Sequence, residues 1–203
     1  WAVHAVAHVM EMQGRARDGA EWLTSTAHGW APNSMFGYHN WWHLALFHLD
    51  AGETGEALSL FDSKVSASGF GQAIELVDGS ALLWRLALLG HDVGNRWNGI
   101  ADKWQARIDD GYYAFNDLHA MMAFVGAGRR EAQKRLIAIA ERVTLSRATN
   151  GMMTREVGLP ALRGFEAFGR GAYDEAIGHL MPVRAKANRF GGSHAQRDVF
   201  SWT

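Results

Sequence analysis

Four histidines near the start of the chain come as two pairs at one spacing: His4 and His8 in WAVHAVAHVMEM, and His39 and His43 in YHNWWHLALF. Residues four apart lie on one face of an α-helix about 6 Å apart, so each pair projects two imidazoles to the same side. Two such pairs could converge. Helices that each supply two imidazoles make a ligand set for a divalent transition metal, with Glu11, Asp117, His119, His194 or Asp198 available to complete a shell for Zn, Fe or Mn. A centre of that kind activates water or dioxygen. The HxxxH spacing is less specific than HExxH, and helices often carry histidines whose polar atoms are satisfied by neighbours.

Imidazole also titrates near neutral pH, so these residues could act as general acids and bases without a metal, with Asp117 or Asp198 orienting a ring or raising its pKa. The catalytic candidates are accordingly His4, His8, His39, Asp117, His119 and His194, and the metal candidates His4, His8, His39 and His43. A serine nucleophile has little behind it: Ser193 adjoins His194 in sequence, and side chains one apart on a helix diverge.

A third chemistry is small-molecule binding. Phe36, Tyr38, Trp41, Trp42, Tyr112, Tyr113 and Phe115 accompany the histidines, and pockets are usually apolar walls with a few directed polar groups. On that reading Trp42, Tyr113 and Asn116 line a ligand site, while Arg189 and Arg197 offer bidentate contacts to a carboxylate or phosphate. Large aromatics at helical spacing more often form core, and Trp84, Trp104 and Phe168 are assigned to packing. In NRFGGSHAQRD, Gly191 and Gly192 have two readings. They let a ligand approach the backbone ahead of a helix N-terminus that favours an anion, or they form a turn with Ser193 as N-cap.

Composition narrows the field. Lys+Arg 20 against Asp+Glu 21 leaves a formal charge of -1, so no global field draws the chain onto nucleic acid or an anionic membrane. Cysteine is absent, which removes disulfides, thiolate chemistry and finger-type zinc sites. No apolar run approaches the roughly 18 residues that span a bilayer, and no charged region precedes an apolar stretch at the start, so a cytoplasmic protein is the default expectation. GFGQAI at 69–74 lacks the preceding strand and third glycine of a dinucleotide loop, which leaves nucleotide binding unsupported. The chain starts inside an apolar pattern at Trp1 and stops at Thr203 without a turn signal, which reads as a segment of something longer.

The elements that must position these groups are helical. Ala, Leu and Met recur at three- and four-residue intervals, only three prolines occur, and period-2 alternation of β-branched residues is nearly missing. A small residue, another seven later and a third five after that recur as Ala7, Gly14, Gly19; Ala45, Gly52, Ala57; Ala120, Ala127, Ala132; and Gly164, Gly171, Ala176. This is the phase of a tetratricopeptide hairpin, in which the first small residue allows close helix packing, the second sits at the turn, and the third meets the first across the hairpin. A degenerate unit fits around Ser80–Gly90 and Arg96–Ile108. The expected fold is therefore all-α, a tetratricopeptide-like solenoid of helical hairpins forming a single repeat domain over residues 1–203. That phase turns His4, His8, Glu11, His39, Trp42 and Asp117 toward the concave face, puts His43 and His119 one position off it, and leaves His28, His48, His91 and His179 to surface or packing.

The strings WAVHAVAHVMEM, HNWWHLALFHL, DGSALLWRL, GYYAFNDLHAMMAF and NRFGGSHAQRD resemble the tetratricopeptide repeat protein 38 family, in a bacterial-type form, across nearly the whole chain and in the same order. Members are longer, and this chain is similar to their later portion. The resemblance implies an α-helical tetratricopeptide-like fold. It carries no established activity, so no catalytic residue follows from it. Function is then expected from the residues themselves: a concave His/Trp/Asp-lined pocket for a small polar molecule, acted on with or without a metal. The alternative is a non-catalytic scaffold that holds a peptide or partner helix in the same groove.

Overall fold

The structure is a computed structural model that describes residues 1–32 and 36–203, and among these residues every regular element is helical. By contact density it divides into two compact units, Trp1–Val93 and Gly94–Thr203. Among the described residues no helix is long and apolar enough to cross a membrane.

The first unit contains α1 (Ala2–Met12), α2 (Ala16–Ser25), the single turn α3 (Ala27–Trp30), α4 (Gly37–Asp50), α5 (Thr54–Leu60) continuing into a π-helical turn at Phe61–Val65, and α6 (Ala73–Leu88). The second contains α7 (Arg96–Gln105), α8 (Ala114–Gly126), α9 (Arg130–Val143), α10 (Thr149–Met153) with a π-helical turn at Thr154–Gly158, α11 (Leu159–Gly169), α12 (Tyr173–Arg184), a 3-10 turn at Ala187–Phe190, and the short α13 (His194–Arg197) and α14 (Val199–Trp202).

Four of the helix pairs share one construction. α1 ends on Gly14 in the left-handed region, whose N–H bonds the Glu11 carbonyl at 3.0 Å while the Arg15 N–H bonds that of Met10 at 2.9 Å. This pair of bonds satisfies carbonyls that the helix end leaves unpaired, and glycine supplies the required φ without a Cβ clash. The same two bonds close α4 at Gly52, α8 at Gly128 and α11 at Gly171. In the third pair the left-handed residue is Gly128, one position beyond the Ala127 that the seven-residue spacing marks, because Ala127 still has right-handed helical geometry as the cap. α1 packs on α2, α4 on α5, α8 on α9 and α11 on α12.

The remaining small residues follow from what packs on them. A Cβ at Gly164 would sit 2.5 Å from the Leu180 side chain, so this glycine lets α12 approach across its own hairpin. Gly19 differs: a Cβ there would sit 2.3 Å from the Phe47 ring. It makes room for α4 of the following pair rather than for α1.

This close approach explains why α4 becomes the buried helix of its unit. It contacts α1, α2, α5 and α6, and it carries Trp42, Leu44, Ala45, Leu46, Phe47 and Leu49 inside. Leu44 and Phe47 join Ala7, Leu23 and Trp30 in one apolar cluster. A histidine on α4 has few routes to water. α6 is nearly as enclosed and opens with a capping box, the Gln72 N–H donating to Glu75 Oε2 at 3.1 Å.

Candidate metal centre

His4 and His8 come from α1, and His39 and His43 from α4, the helix that α1 packs against. One ligand-capable atom from each of the four lies within 4.8 Å of the others. His4 Nε2 and His8 Nε2 are 3.1 Å apart, and the ring centroids of His8 and His43 stand 4.5 Å apart, those of His39 and His43 4.8 Å, and those of His4 and His39 5.0 Å. The two predicted pairs therefore meet.

Burial divides the four by helix. His39 and His43 are 4% and 1% exposed, whereas His4 and His8 are half-buried. Phase counting placed His43 one position off the inward stripe, yet it sits inside the cluster. Side chains four apart differ by only about 40° around a helix axis. His39 and His43 therefore straddle the seam that α1 covers, and both reach it.

The local electrostatics keep protons off much of this cluster. Burial, followed by the neighbouring His39 and His8, lowers His4 to about 4. Burial and then His39 lower His8, against a smaller upward pull from Glu11, while burial, His39, His8 and His4 push His43 well below its ordinary value. A proton on one of these three rings loses hydration on burial and meets the like charge of neighbouring imidazoles. A neutral ring keeps one nitrogen lone pair free to bind, and His43 Nε2 is buried with no hydrogen-bond partner among the described residues. Leaving such an atom unsatisfied costs about 1–3 kcal/mol.

Asp78 holds His39 in place. Its fully buried carboxylate lies on α6 with Oδ2 2.7 Å from His39 Nδ1. Trp42 stacks on a face of the same ring, 5.1 Å centroid to centroid and 14° from parallel. One face and one nitrogen of His39 are thus fixed by different helix positions. Asp78 was missing from the sequence-based candidates. A carboxylate inside the apolar stretch IELVDGSALLWRLAL was the available signal, since an acid in a buried helix requires a partner. Burial, and then Asp78 and Glu75, also raise the nearby Tyr38 phenol above its ordinary range.

The cluster is drawn entirely from the first unit, as are Glu11 and Trp42; Tyr113, Asn116, Asp117, His119, Arg189, His194, Arg197 and Asp198 lie in the second. His119 is fully buried, with its ring 4.5 Å from that of Phe115 and its Nδ1 2.8 Å from the Phe115 carbonyl oxygen one turn back. His194 is exposed at the start of α13, and Arg189 is exposed and ion-paired with Glu156. Arg197 donates to the carbonyl oxygens of Gly191 and Gly192. Asn116 is partly buried in the first turn of α8.

The glycine pair has a structural explanation. Both residues are in the left-handed region, and a Cβ would meet the Tyr113 hydroxyl oxygen at Gly191 and, 2.5 Å away, the Phe115 ring at Gly192. They admit the chain's own aromatic rings, and the Ser193 N–H is capped by Gln196 Oε1 at 2.9 Å. The turn reading accounts for this segment.

Asp117 is raised to about 7, first by burial and then by Asp110. Its folded pKa exceeds the unfolded value, so its contribution to stability is fully present below about 3.8 and is lost as pH rises through about 7. Asp117→Asn is expected to flatten that fall in unfolding free energy between about pH 4 and 7, by no more than about 4 kcal/mol. Urea melts at several pH values measure it; parallel wild-type and mutant curves would show that the carboxyl is already solvated.

No family model matches the chain, and no solved structure matches it.

Proposed function

We propose that this chain is a tetratricopeptide-like helical repeat protein, of the family its sequence resembles, that binds a divalent transition metal through His4, His8, His39 and His43 and uses it to bind and act on a small polar molecule. The observation that carries this reading is the convergence of four imidazole nitrogens within 4.8 Å on two packed helices. Metal–nitrogen bonds of about 2.0 Å put tetrahedral ligand atoms about 3.3 Å apart. The His4–His8 separation of 3.1 Å is already there, and the others, within 4.8 Å, need to contract by at most about 1.5 Å.

Imidazole ligands without thiolate favour Zn, Cu, Ni, Co or Fe over Mg and Ca. A ligating ring must be neutral, and with Nδ1–H donating to Asp78 the lone pair of His39 falls on Nε2, the carboxylate–histidine–metal arrangement that fixes tautomer and ring direction. A metal in this position would supply Lewis acidity and a more acidic bound water.

Tag-free protein, expressed in metal-supplemented medium and desalted, is expected to retain about one equivalent of a transition metal. Plasma mass spectrometry measures it. A metal content near zero that exogenous Zn(II) or Co(II) does not raise would contradict the proposal.

The scaffold reading has one observation of its own. Tyr173, Ile177 and Met181, one turn apart along α12, are exposed at 59%, 58% and 59%, an apolar row of the kind that covers a partner helix.

A further inference from the structure

Beside the histidine cluster lies a cleft of about 400 Å³ with His4 in its wall. Three of its other walls are aromatic, Trp1, Trp30 and Phe36, and one is an amide, Asn40. Trp1 and Phe36 are in ring contact at 4.5 Å, and Phe36 lies roughly parallel to His4, 27° between planes at 6.1 Å. A flat ring entering here would meet aromatic faces on more than one side.

The arrangement continues the faces that carry the metal ligands. Trp1, His4 and His8 follow one another at three- and four-residue spacing along α1, as Phe36, Asn40 and His43 do along the start of α4. His4 therefore belongs to both the cluster and the cleft. Asn40 supplies the second, independent observation. It is 3% exposed, lines the cleft, and its Oδ1 is buried with no hydrogen-bond partner among the described residues. Trp30 differs, since its indole N–H donates to the Leu23 carbonyl at 3.2 Å. A buried amide oxygen left without a donor at the wall of an aromatic cleft is placed to read a donor on a bound molecule.

We propose that the cleft is the ligand subsite of the four-histidine centre and takes a flat heteroaromatic molecule with one metal-binding nitrogen or oxygen and one N–H or O–H that donates to Asn40. This inference rests on the metal reading and assigns the ligand class for it. The rings of Trp1 and Phe36 form a wall for the planar body, and the coordinating atom would enter beside His4 as an additional ligand to a metal held by the four histidines. Asn40 then distinguishes a ligand with a donor from one of the same shape without it.

Co(II)-loaded protein reports both steps through its visible spectrum. The probes are 4-phenylimidazole, which has the ring, the metal-binding nitrogen and the N–H, and imidazole, which lacks the phenyl ring. Expected results are saturable perturbation by 4-phenylimidazole at least about tenfold tighter than by imidazole, and loss of about tenfold in Asn40→Leu with Co(II) uptake intact. Phe36→Ala should weaken 4-phenylimidazole by a similar factor and leave imidazole unchanged, which keeps the test decisive if Asn40→Leu fails to fold. Failure to take up Co(II) overturns the metal reading and this inference with it. Co(II) uptake with equal affinity for the two probes, or with both variants binding as wild type, overturns the cleft assignment alone.

Discussion

Replacing His43 by Leu is expected to lower affinity for Zn(II) by about a thousandfold or more while leaving the metal-free protein at least as stable as before. His43 is 1% exposed, its Nε2 has no hydrogen-bond partner among the described residues, and the rings of His8, His39 and His4 stand 4.5, 4.8 and 5.1 Å from its own. In the absence of metal that polar nitrogen is a cost of about 1–3 kcal/mol, and leucine fills a similar volume without it. Metal reverses the balance, because each ligand lost from a four-coordinate centre leaves a position that water must fill in a desolvated site.

Thermal melts with and without chelator separate the two effects. Wild-type protein at about a thousandfold excess of Zn(II) over its dissociation constant should gain about 4 kcal/mol, and His43→Leu should gain almost none. A histidine retained only for packing predicts the opposite pair of results: unchanged metal response and a destabilised metal-free fold.

Asp78→Ala is expected to act on both quantities together. The carboxylate is fully buried and its Oδ2 is 2.7 Å from His39 Nδ1, so removing it leaves the imidazole N–H unsatisfied in the interior. That should destabilise the metal-free protein by about 3 kcal/mol and lower Zn(II) affinity about 10- to 100-fold, since the ring loses both its orientation and the negative charge that strengthens its lone pair. Asp78→Asn retains a carbonyl acceptor without the charge and should fall between the two in affinity, with a smaller loss of stability. Chemical denaturation measures the first and competition with a chromophoric chelator the second. Unchanged Zn(II) affinity in Asp78→Ala would detach His39 from the centre.

Local features were the legible ones. Helices followed from the three- and four-residue recurrence of Ala, Leu and Met, and the turns at Gly14, Gly52 and Gly171 from spacing alone, because a left-handed cap restricts the residue type. The histidine pairs were visible for the same reason: i,i+4 geometry is set within one helix. What joins them is not local. The approach of α4 to α2 over Gly19 depends on Phe47, 28 positions away, and the cluster depends on α1 lying over the seam between His39 and His43.

Asp78 shows a different limit. Its partner is 39 residues distant, and nothing beside it in IELVDGSALLWRLAL identifies a histidine as the group it serves. The glycines at 191 and 192 were ambiguous because a ligand and an aromatic side chain make the same steric demand on a backbone. Only the positions of Tyr113 and Phe115 resolve it.

X-ray absorption at the Zn edge, on tag-free protein carrying one equivalent of Zn(II), tests the central claim most directly. The four-histidine centre predicts nitrogen scatterers at about 2.0 Å, close to four in number, with the outer-shell pattern of imidazole rings, and loss of that pattern in His43→Leu. An oxygen-dominated shell, or an imidazole shell that His43→Leu leaves intact, would contradict it.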